Sequence, residues 1–359
     1  MEMKFTRFIA AAMSAAIIAS AALPGAVYAE QSVAVCAEYD AVMPKWDGES
    51  KLSSGKKYSV SKDITITKDT VIPAKTTLTV KKGCKLVVAK GAALTVKGKL
   101  VVGEGAQLTV NGSLTLNKNK TLDCSGKMKL GKKSTVKLNG RFTLRNEGTL
   151  SGTPKKITAG TDSVIKLYGS NKCTKLDKAM EAAQEEIRAL SGKFTEAQAK
   201  KKALALYQKF LTYMFVEKEP VYACKIAYTA KTWRSTLDES KFEQFGGIEA
   251  FARDYSISLT NTLLKTYSGG RLENAEEIES IKLMFSDFQE CLNYISNDTR
   301  KELKEKIGDV NNLWLATAAI TFELKNGRSL TADNYYISFT CLDGQMYVAT
   351  ENMSEIVFS

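Results

Sequence analysis

The stretch QLTVNGSLTL, residues 107–116, decides the fold of the first half of this chain. It places Asn-Gly between two runs of alternating apolar and polar residues, which is typical of a β-hairpin with a two-residue turn. In that hairpin Val110 would face Ser113, an apolar side chain opposite a polar one. A three-residue turn centred on Gly112 restores the match by pairing Val110 with Leu114. The stretch is therefore either a hairpin of that kind or one step of a longer repeat.

The same pattern recurs at a constant step of 14 along the sequence. Residues that keep this step include Leu94, Leu108, Leu122, Val136 and Leu150 at one position and Gly98, Gly112, Gly126 and Gly140 at another. Upstream, one two-residue insertion falls near residues 81–84. Two architectures fit: a meander of three-residue hairpins, or a β-solenoid whose 14-residue coils each hold two short strands. The constant length of the repeat favours the solenoid, because each residue would then stack on the equivalent residue of the next coil. We predict seven such coils.

The N-terminal segment, residues 1–29, predicts export. Lys4 and Arg7 precede an apolar run that ends at Leu23, and small residues stand ahead of Glu30. This is the layout of a cleaved signal peptide, and the run is shorter than the roughly 20 apolar residues of a membrane-spanning helix. We therefore expect a secreted, extracellular protein with no membrane contact beyond the leader. Its association with the cell wall is an expectation from charge alone.

Net positive charge is confined to the repeat. Residues 51–160 contain 23 Lys and Arg against 5 Asp and Glu, whereas residues 161–359 contain 25 against 28. Nine basic residues fall in turns or between the apolar positions: Lys97, Lys99, Lys127, Lys129, Lys132, Lys133, Lys137, Arg141 and Arg145. They predict contact with an anionic polymer, such as wall teichoic acid or an acidic polysaccharide. The alternative is that they are solvated charges that keep strand edges from pairing with other chains.

Nucleic acid is not expected as the partner, because no exposed aromatic side chains alternate with these lysines to stack on bases.

The second half of the chain predicts helices followed by strands. TEAQ at residues 195–198 is a capping box that opens a helix, and further apolar faces at helical spacing extend to about residue 267. Residues 314–324 then alternate as a strand. Asp343 and Gly344 form a two-residue hairpin turn that pairs Cys341 with Met346. This order is typical of an α+β domain with a curved antiparallel sheet.

These patterns define five segments: a signal peptide at 1–29, a linker or cap at 30–57, the basic β-solenoid at 58–160, a connecting segment with a helix at 161–195, and the α+β domain at 196–359. The predicted fold is thus multidomain, an N-terminal β-solenoid followed by an α+β domain.

Two tracts resemble known protein families. VIPAKTTLTVKKGCKLVVAKGAALTVKGKLVV, residues 71–102, resembles the LTV and glycine repeats of exported, surface-attached bacterial proteins, which implies a β-solenoid spacer or adhesive stalk. ITFELKNGRSLTADNYYISFTCLDGQMYVA, residues 320–349, resembles the last hairpins of NTF2-like and cystatin-like domains in exported Gram-positive proteins. Residues 345–347 depart from the Lys-Trp-Tyr form of that ending.

The second resemblance implies a conical pocket. Its candidate lining residues are Trp233, Tyr255, Trp314, Tyr336 and Tyr347, with Phe245 as a further member. The alternative is that these aromatic residues form an ordinary core.

The residue content argues against most catalytic chemistry. The chain contains no histidine, which removes Ser-His-Asp and Cys-His pairs and every metal site built on histidine. The seven cysteines show no CxxC spacing, and no glycine-rich phosphate loop joins a strand to a helix. We therefore expect no catalytic residues, no metal and no cofactor, and predict a non-enzymatic scaffold or binding protein at the cell surface. The alternative is a small-ligand-binding or hydrolytic NTF2-like domain carried on a solenoid stalk.

Overall fold

The computed structural model describes residues 43–190, 194–236, 239–352 and 357–358. The predicted signal peptide and the first part of the predicted linker lie outside the described residues. The chain divides into two compact units, with the boundary between Glu186 and Ile187. The first unit is a β-solenoid, and the second is an α+β domain made of helices and an antiparallel sheet.

The solenoid has three parallel sheets, each receiving one strand from every coil. Sheet A contains β1 (Lys57–Val60), β4 (Thr77–Val80), β7 (Lys99–Val102), β10 (Thr121–Cys124), β13 (Arg141–Leu144) and β16 (Val164–Leu167). Sheet B contains β2 (Ile64–Ile66), β5 (Lys85–Val88), β8 (Gln107–Val110), β11 (Lys127–Leu130), β14 (Thr149–Gly152) and β17 (Ser170–Asn171). Sheet C contains β3 (Thr70–Ile72), β6 (Ala93–Val96), β9 (Ser113–Leu116), β12 (Thr135–Leu138) and β15 (Lys156–Ala159).

The coil is longer than the sequence repeat. Thr77 lies beside Lys99 in the next coil, and Thr121 lies beside Arg141. One coil therefore takes up about one and a half repeats and holds three strands. The prediction of one repeat and two strands per coil is wrong, and the solenoid has about five turns instead of seven.

The corners between strands explain this difference. Four-residue strands alternate with corners of two residues, such as 111–112, and of four residues, such as 89–92. One strand with a short corner and one with a long corner together make one sequence repeat. Because a coil takes three strands, two coils use three repeats. Short and long corners consequently lie against each other in successive coils.

The interior of the solenoid is a stack of columns of apolar side chains. Leu78, Leu100, Leu122 and Phe142 lie in one column of sheet A, all buried. Helix α1 (Thr174–Arg188) follows β17, and its Leu176 packs into the same core. Trp46 belongs to that core near the first coil, where its amide donates to the Ser59 carbonyl. Both ends of the apolar column are thereby covered.

The α+β domain begins with helices. Its α-helices are α2 (Glu196–Leu211), α3 (Pro220–Ala227), α4 (Ala230–Thr236), α5 (Ile248–Tyr267) and α6 (Asn297–Lys306), with a π-helical turn at Thr212–Val216 and 3₁₀ turns at Glu239–Phe245, Ala275–Glu277 and Leu292–Tyr294. The predicted capping box is confirmed: the Gln198 amide donates to the Thr195 hydroxyl at 3.3 Å, and the Thr195 amide donates to the Gln198 side chain at 2.8 Å. No helix in the described part of the chain is long and apolar enough to cross a membrane.

An antiparallel sheet packs on these helices. Its strands β18 (Ile278–Glu290), β19 (Trp314–Leu324), β20 (Ser329–Leu342) and β21 (Gln345–Asn352) lie in that order, and β22 (Val357–Phe358) also pairs with β20. The predicted hairpin at Asp343 and Gly344 is confirmed, since Cys341 pairs with Met346. Strand β18 was not predicted, because two irregularities in its pairing with β19 interrupt the alternation of its apolar residues.

Candidate functional sites

The predicted basic residues surround the solenoid. All nine are exposed. Lys99 and Arg141 lie on sheet A, Lys127 and Lys129 on sheet B, Lys137 on sheet C, and Lys97, Lys132, Lys133 and Arg145 in corners. The structure therefore does not gather them on a single face. Instead it gives every sheet exposed positive charge.

Two of the few acidic residues of the solenoid are engaged between neighbouring coils. Asp63 accepts a hydrogen bond from the Lys85 amide at 2.8 Å, one coil further on. Asp123 accepts two hydrogen bonds from the Arg145 guanidinium, at 2.8 and 2.7 Å. These carboxylates hold coils together, and each also offsets the charge of one basic residue in the next coil: Asp63 lies 3.9 Å from the Lys85 ammonium group, and Asp123 forms a bidentate ion pair with Arg145. Arg145 is therefore committed within the solenoid.

A basic corner lies between sheets B and C in the later coils. Residues 127–137 contain five lysines and no acid. In the next coil Lys156 lies directly beside Thr135, and Lys155 precedes it. The positive charge of the solenoid is therefore densest along this edge.

Three of the predicted pocket residues have separate surroundings in the α+β domain. Trp314 is buried and stacks on Phe288, with ring centroids 6.4 Å apart. Trp233 is buried below the Lys225 ammonium group, which lies 5.3 Å from its ring. Tyr255 is exposed and contacts the Phe245 ring.

The other two predicted pocket residues lie on the outer face of the sheet. Tyr336 stands between Tyr335 and Ile337, both fully buried, so its side chain points to the opposite face. Tyr347 likewise alternates with buried neighbours and lies under the Arg188 guanidinium, 5.0 Å from it. Within the described residues, no two of the five predicted aromatic residues are in ring contact.

The structure instead brings four tyrosines together around one carboxylate. Tyr267 and Tyr335 donate hydrogen bonds to Oε2 of Glu351 at 2.7 and 2.9 Å. The Tyr228 hydroxyl donates to Oε1, and Tyr207 donates to the Tyr335 hydroxyl at 3.2 Å. We call these five residues the Glu351 cluster. It joins helix α2, the residue after α3, the end of α5, and strands β20 and β21.

A bulge explains why sequence alternation did not find this cluster. Met346 and Val348 point into the domain, so strict alternation would place residue 350 inward and Glu351 outward. The pairing of β21 with β20 shifts beyond Val348, so that Glu351 lies beside the fully buried Ile337. The extra residue turns Glu351 toward the interior. The aromatic content of α2, α5 and β20 was the only visible signal.

Burial controls the chemistry of this cluster. The pKa of each of its four tyrosines lies well above the ordinary value, first because the phenol is buried and then because the Glu351 carboxylate is close. The phenols therefore stay protonated and act as donors. Since both oxygens of Glu351 already accept hydrogen bonds, the cluster suits a structural anchor better than a general base.

We expect the α+β domain to lose stability steeply above about pH 10, the ordinary tyrosine pKa. Raised folded-state pKa values mean that the unfolded chain releases these protons first, so the free energy of unfolding falls as pH rises, by up to about 1.4 kcal/mol per pH unit for each tyrosine. A pH jump followed by tyrosinate absorbance measures this. Part of the absorbance should appear only with unfolding, and Tyr267→Phe should reduce that part. Ionisation of all tyrosines before unfolding would contradict the expectation.

The described residues offer no metal centre. They contain no group of three or more Cys, Asp or Glu residues placed to hold a metal ion. The six described cysteines are free thiols, and burial raises the pKa of Cys124 to about 12. That thiol is a core residue of the solenoid.

Comparison with known proteins adds no relative: the chain matches no protein family, no curated protein and no solved structure. Fold and surface alone define its class, a repeat protein in which a basic β-solenoid precedes an α+β domain.

Proposed function

We propose that this protein is an exported, non-enzymatic scaffold or binding protein of the cell surface, and that its solenoid contacts anionic polymers. The observation that carries the proposal is the exposed basic charge on all three sheets, in a segment where residues 51–160 contain 23 Lys and Arg against 5 Asp and Glu. A surface of this kind attracts extended polyanions through many weak contacts. Outside a bacterial cell, wall teichoic acid and acidic polysaccharides have that chemistry.

The leader-like sequence at residues 1–29 supports export. The α+β domain, in this proposal, is an NTF2-like or cystatin-like domain, because an antiparallel sheet packs on helix α2. We assign it a structural or partner-binding role, since the interior contains the aromatic residues of the domain itself, among them Phe210, Phe215 and Phe339.

Salt-dependent binding tests this function. The full chain should co-sediment with purified Gram-positive cell walls at low ionic strength and lose affinity roughly tenfold or more when the salt reaches a few hundred millimolar, because exposed charges are screened over distances of about 10 Å. Absence of binding at low salt would refute the proposal.

A charge-reversal pair tests whether the solenoid surface makes the contact. Lys129→Glu combined with Lys133→Glu, in the basic corner, should weaken wall binding strongly. The matched control is Lys201→Glu with Lys301→Glu, two exposed lysines of the α+β domain, which changes the net charge equally. Equal loss in both variants would show that net charge, and not the solenoid surface, determines binding.

A further inference from the structure

One column of sheet A carries basic residues in every second coil. The pairing register places Lys57, Thr77, Lys99, Thr121 and Arg141 side by side in five successive strands. Lys57, Lys99 and Arg141 are exposed, and the positions between them hold threonine. Sheet B repeats the arrangement with Lys85, Gln107 and Lys127. We call the sheet A column the basic ladder.

The mismatch between repeat and coil produces this spacing. Strands that follow a short corner often start with Lys or Arg, as β7, β11 and β13 do. Because two coils consume three repeats, such a strand returns to the same sheet only in every second coil. With neighbouring strands about 4.8 Å apart, charges on the ladder are separated by about 9.6 Å.

The rest of this face is compatible with a chain lying along it. The parallel column two residues further on holds Thr79, Val101, Asp123 and Thr143. These side chains are short, and the Asp123 carboxylate is held by the Arg145 guanidinium. The flanking corners hold lysines, such as Lys82 and Lys97, and also the exposed acids Glu104 and Glu147, and their charge does not follow the two-coil spacing.

We infer that the basic ladder binds a linear polysaccharide that carries one acidic group on every second sugar. An extended chain of pyranose rings advances by about one strand spacing per sugar, so alternate sugars would meet a cation and the intervening sugars a threonine hydroxyl. This inference rests on the proposed function and narrows it to one class of polymer and one face of the solenoid.

The test compares polymers that differ in charge spacing, using the full chain at low ionic strength. Hyaluronan carries a carboxylate on alternate sugars, whereas polygalacturonate carries one on every sugar. Lys99→Thr puts a threonine at the ladder position of the third coil, as the second and fourth coils already have with Thr77 and Thr121. We expect it to weaken hyaluronan binding about fivefold, the loss of one exposed ion pair. The control Lys90→Thr removes the same charge from an exposed residue in the corner between sheets B and C, outside both the ladder and the basic corner. It should cost less than about twofold, because only a screened field remains.

A gain-of-charge variant tests the spacing directly. Thr121→Lys fills one gap in the ladder, so it should move the preference toward polygalacturonate. Equal losses from Lys99→Thr and Lys90→Thr, or no change of preference in Thr121→Lys, would overturn the ladder while leaving polyanion binding by the solenoid intact. If the unaltered protein binds neither these polymers nor cell walls at low salt, the proposed function itself fails.

Discussion

Replacing Gly112 with alanine is expected to destabilise the solenoid by about 3 kcal/mol or more, at the upper end of overpacking costs. A Cβ atom at this position would lie 2.1 Å from the Ala92 carbonyl oxygen and 2.3 Å from that of Ala89, both in the preceding coil. The Ala92 oxygen accepts the Ser113 amide at 2.9 Å, so it cannot retreat without loss of that hydrogen bond. The glycine is required for close approach of two corners and not for its backbone angles.

The matched control is Gly91→Ala, in the corner that Gly112 touches. Gly91 has a positive φ of 89°, but a Cβ atom added to it would meet no atom within 4 Å. Gly91→Ala should therefore destabilise the solenoid only by the cost of a left-handed backbone conformation in a residue with a side chain, about 1–2 kcal/mol. Hydrogen exchange of peptides from the solenoid, read together with denaturant unfolding, separates this unit from the α+β domain. A Gly112→Ala variant as stable as Gly91→Ala would contradict the corner-on-corner packing.

The same contact recurs at the other glycines that reveal the repeat. Added Cβ atoms at Gly98 and Gly126 would likewise lie 2.2 to 2.4 Å from the two end carbonyls of a long corner one coil earlier. The constant step of the sequence was therefore a true structural signal. What it could not reveal was the number of strands per coil, because a residue's stacking partner lies one and a half repeats away. Leu100 stacks on Leu78, whereas Leu114, its copy in the next repeat, lies in sheet C.

In the α+β domain, sequence patterns predicted correctly those features whose geometry depends on neighbouring residues in the chain. The Thr195 capping box and the hairpin at Asp343 depend on a few adjacent residues, and both are present. Strand β18 and the inward turn of Glu351 depend on bulges, which arise from pairing with a neighbouring strand. The alternation of residues within one strand does not show where the pairing with the neighbouring strand shifts. Three of the cluster's tyrosines, Tyr207, Tyr228 and Tyr267, are likewise far from Glu351 in the chain and reach the cluster only through tertiary packing.

Glu351→Gln is expected to destabilise the α+β domain by about 3 kcal/mol, the range for breaking a buried charged hydrogen-bond network. The amide keeps the shape of the carboxylate but replaces one acceptor oxygen by a donor. At least one of the hydroxyls of Tyr228, Tyr267 and Tyr335 then loses its acceptor inside a low-dielectric interior. The remaining hydrogen bonds also lose their charge assistance.

Glu323→Gln supplies the matched comparison on strand β19. Its carboxylate accepts hydrogen bonds from Lys282 at 2.8 Å and from Ser329 at 2.7 Å, but at the surface of the sheet. Loss of an exposed pair of this kind should cost no more than about 1 kcal/mol. Urea unfolding followed by hydrogen exchange in β20 and β21 reports both variants. If the Glu351 and Glu323 substitutions cost the same, the four tyrosines do not depend on the carboxylate, and the anchor role assigned to the Glu351 cluster is wrong.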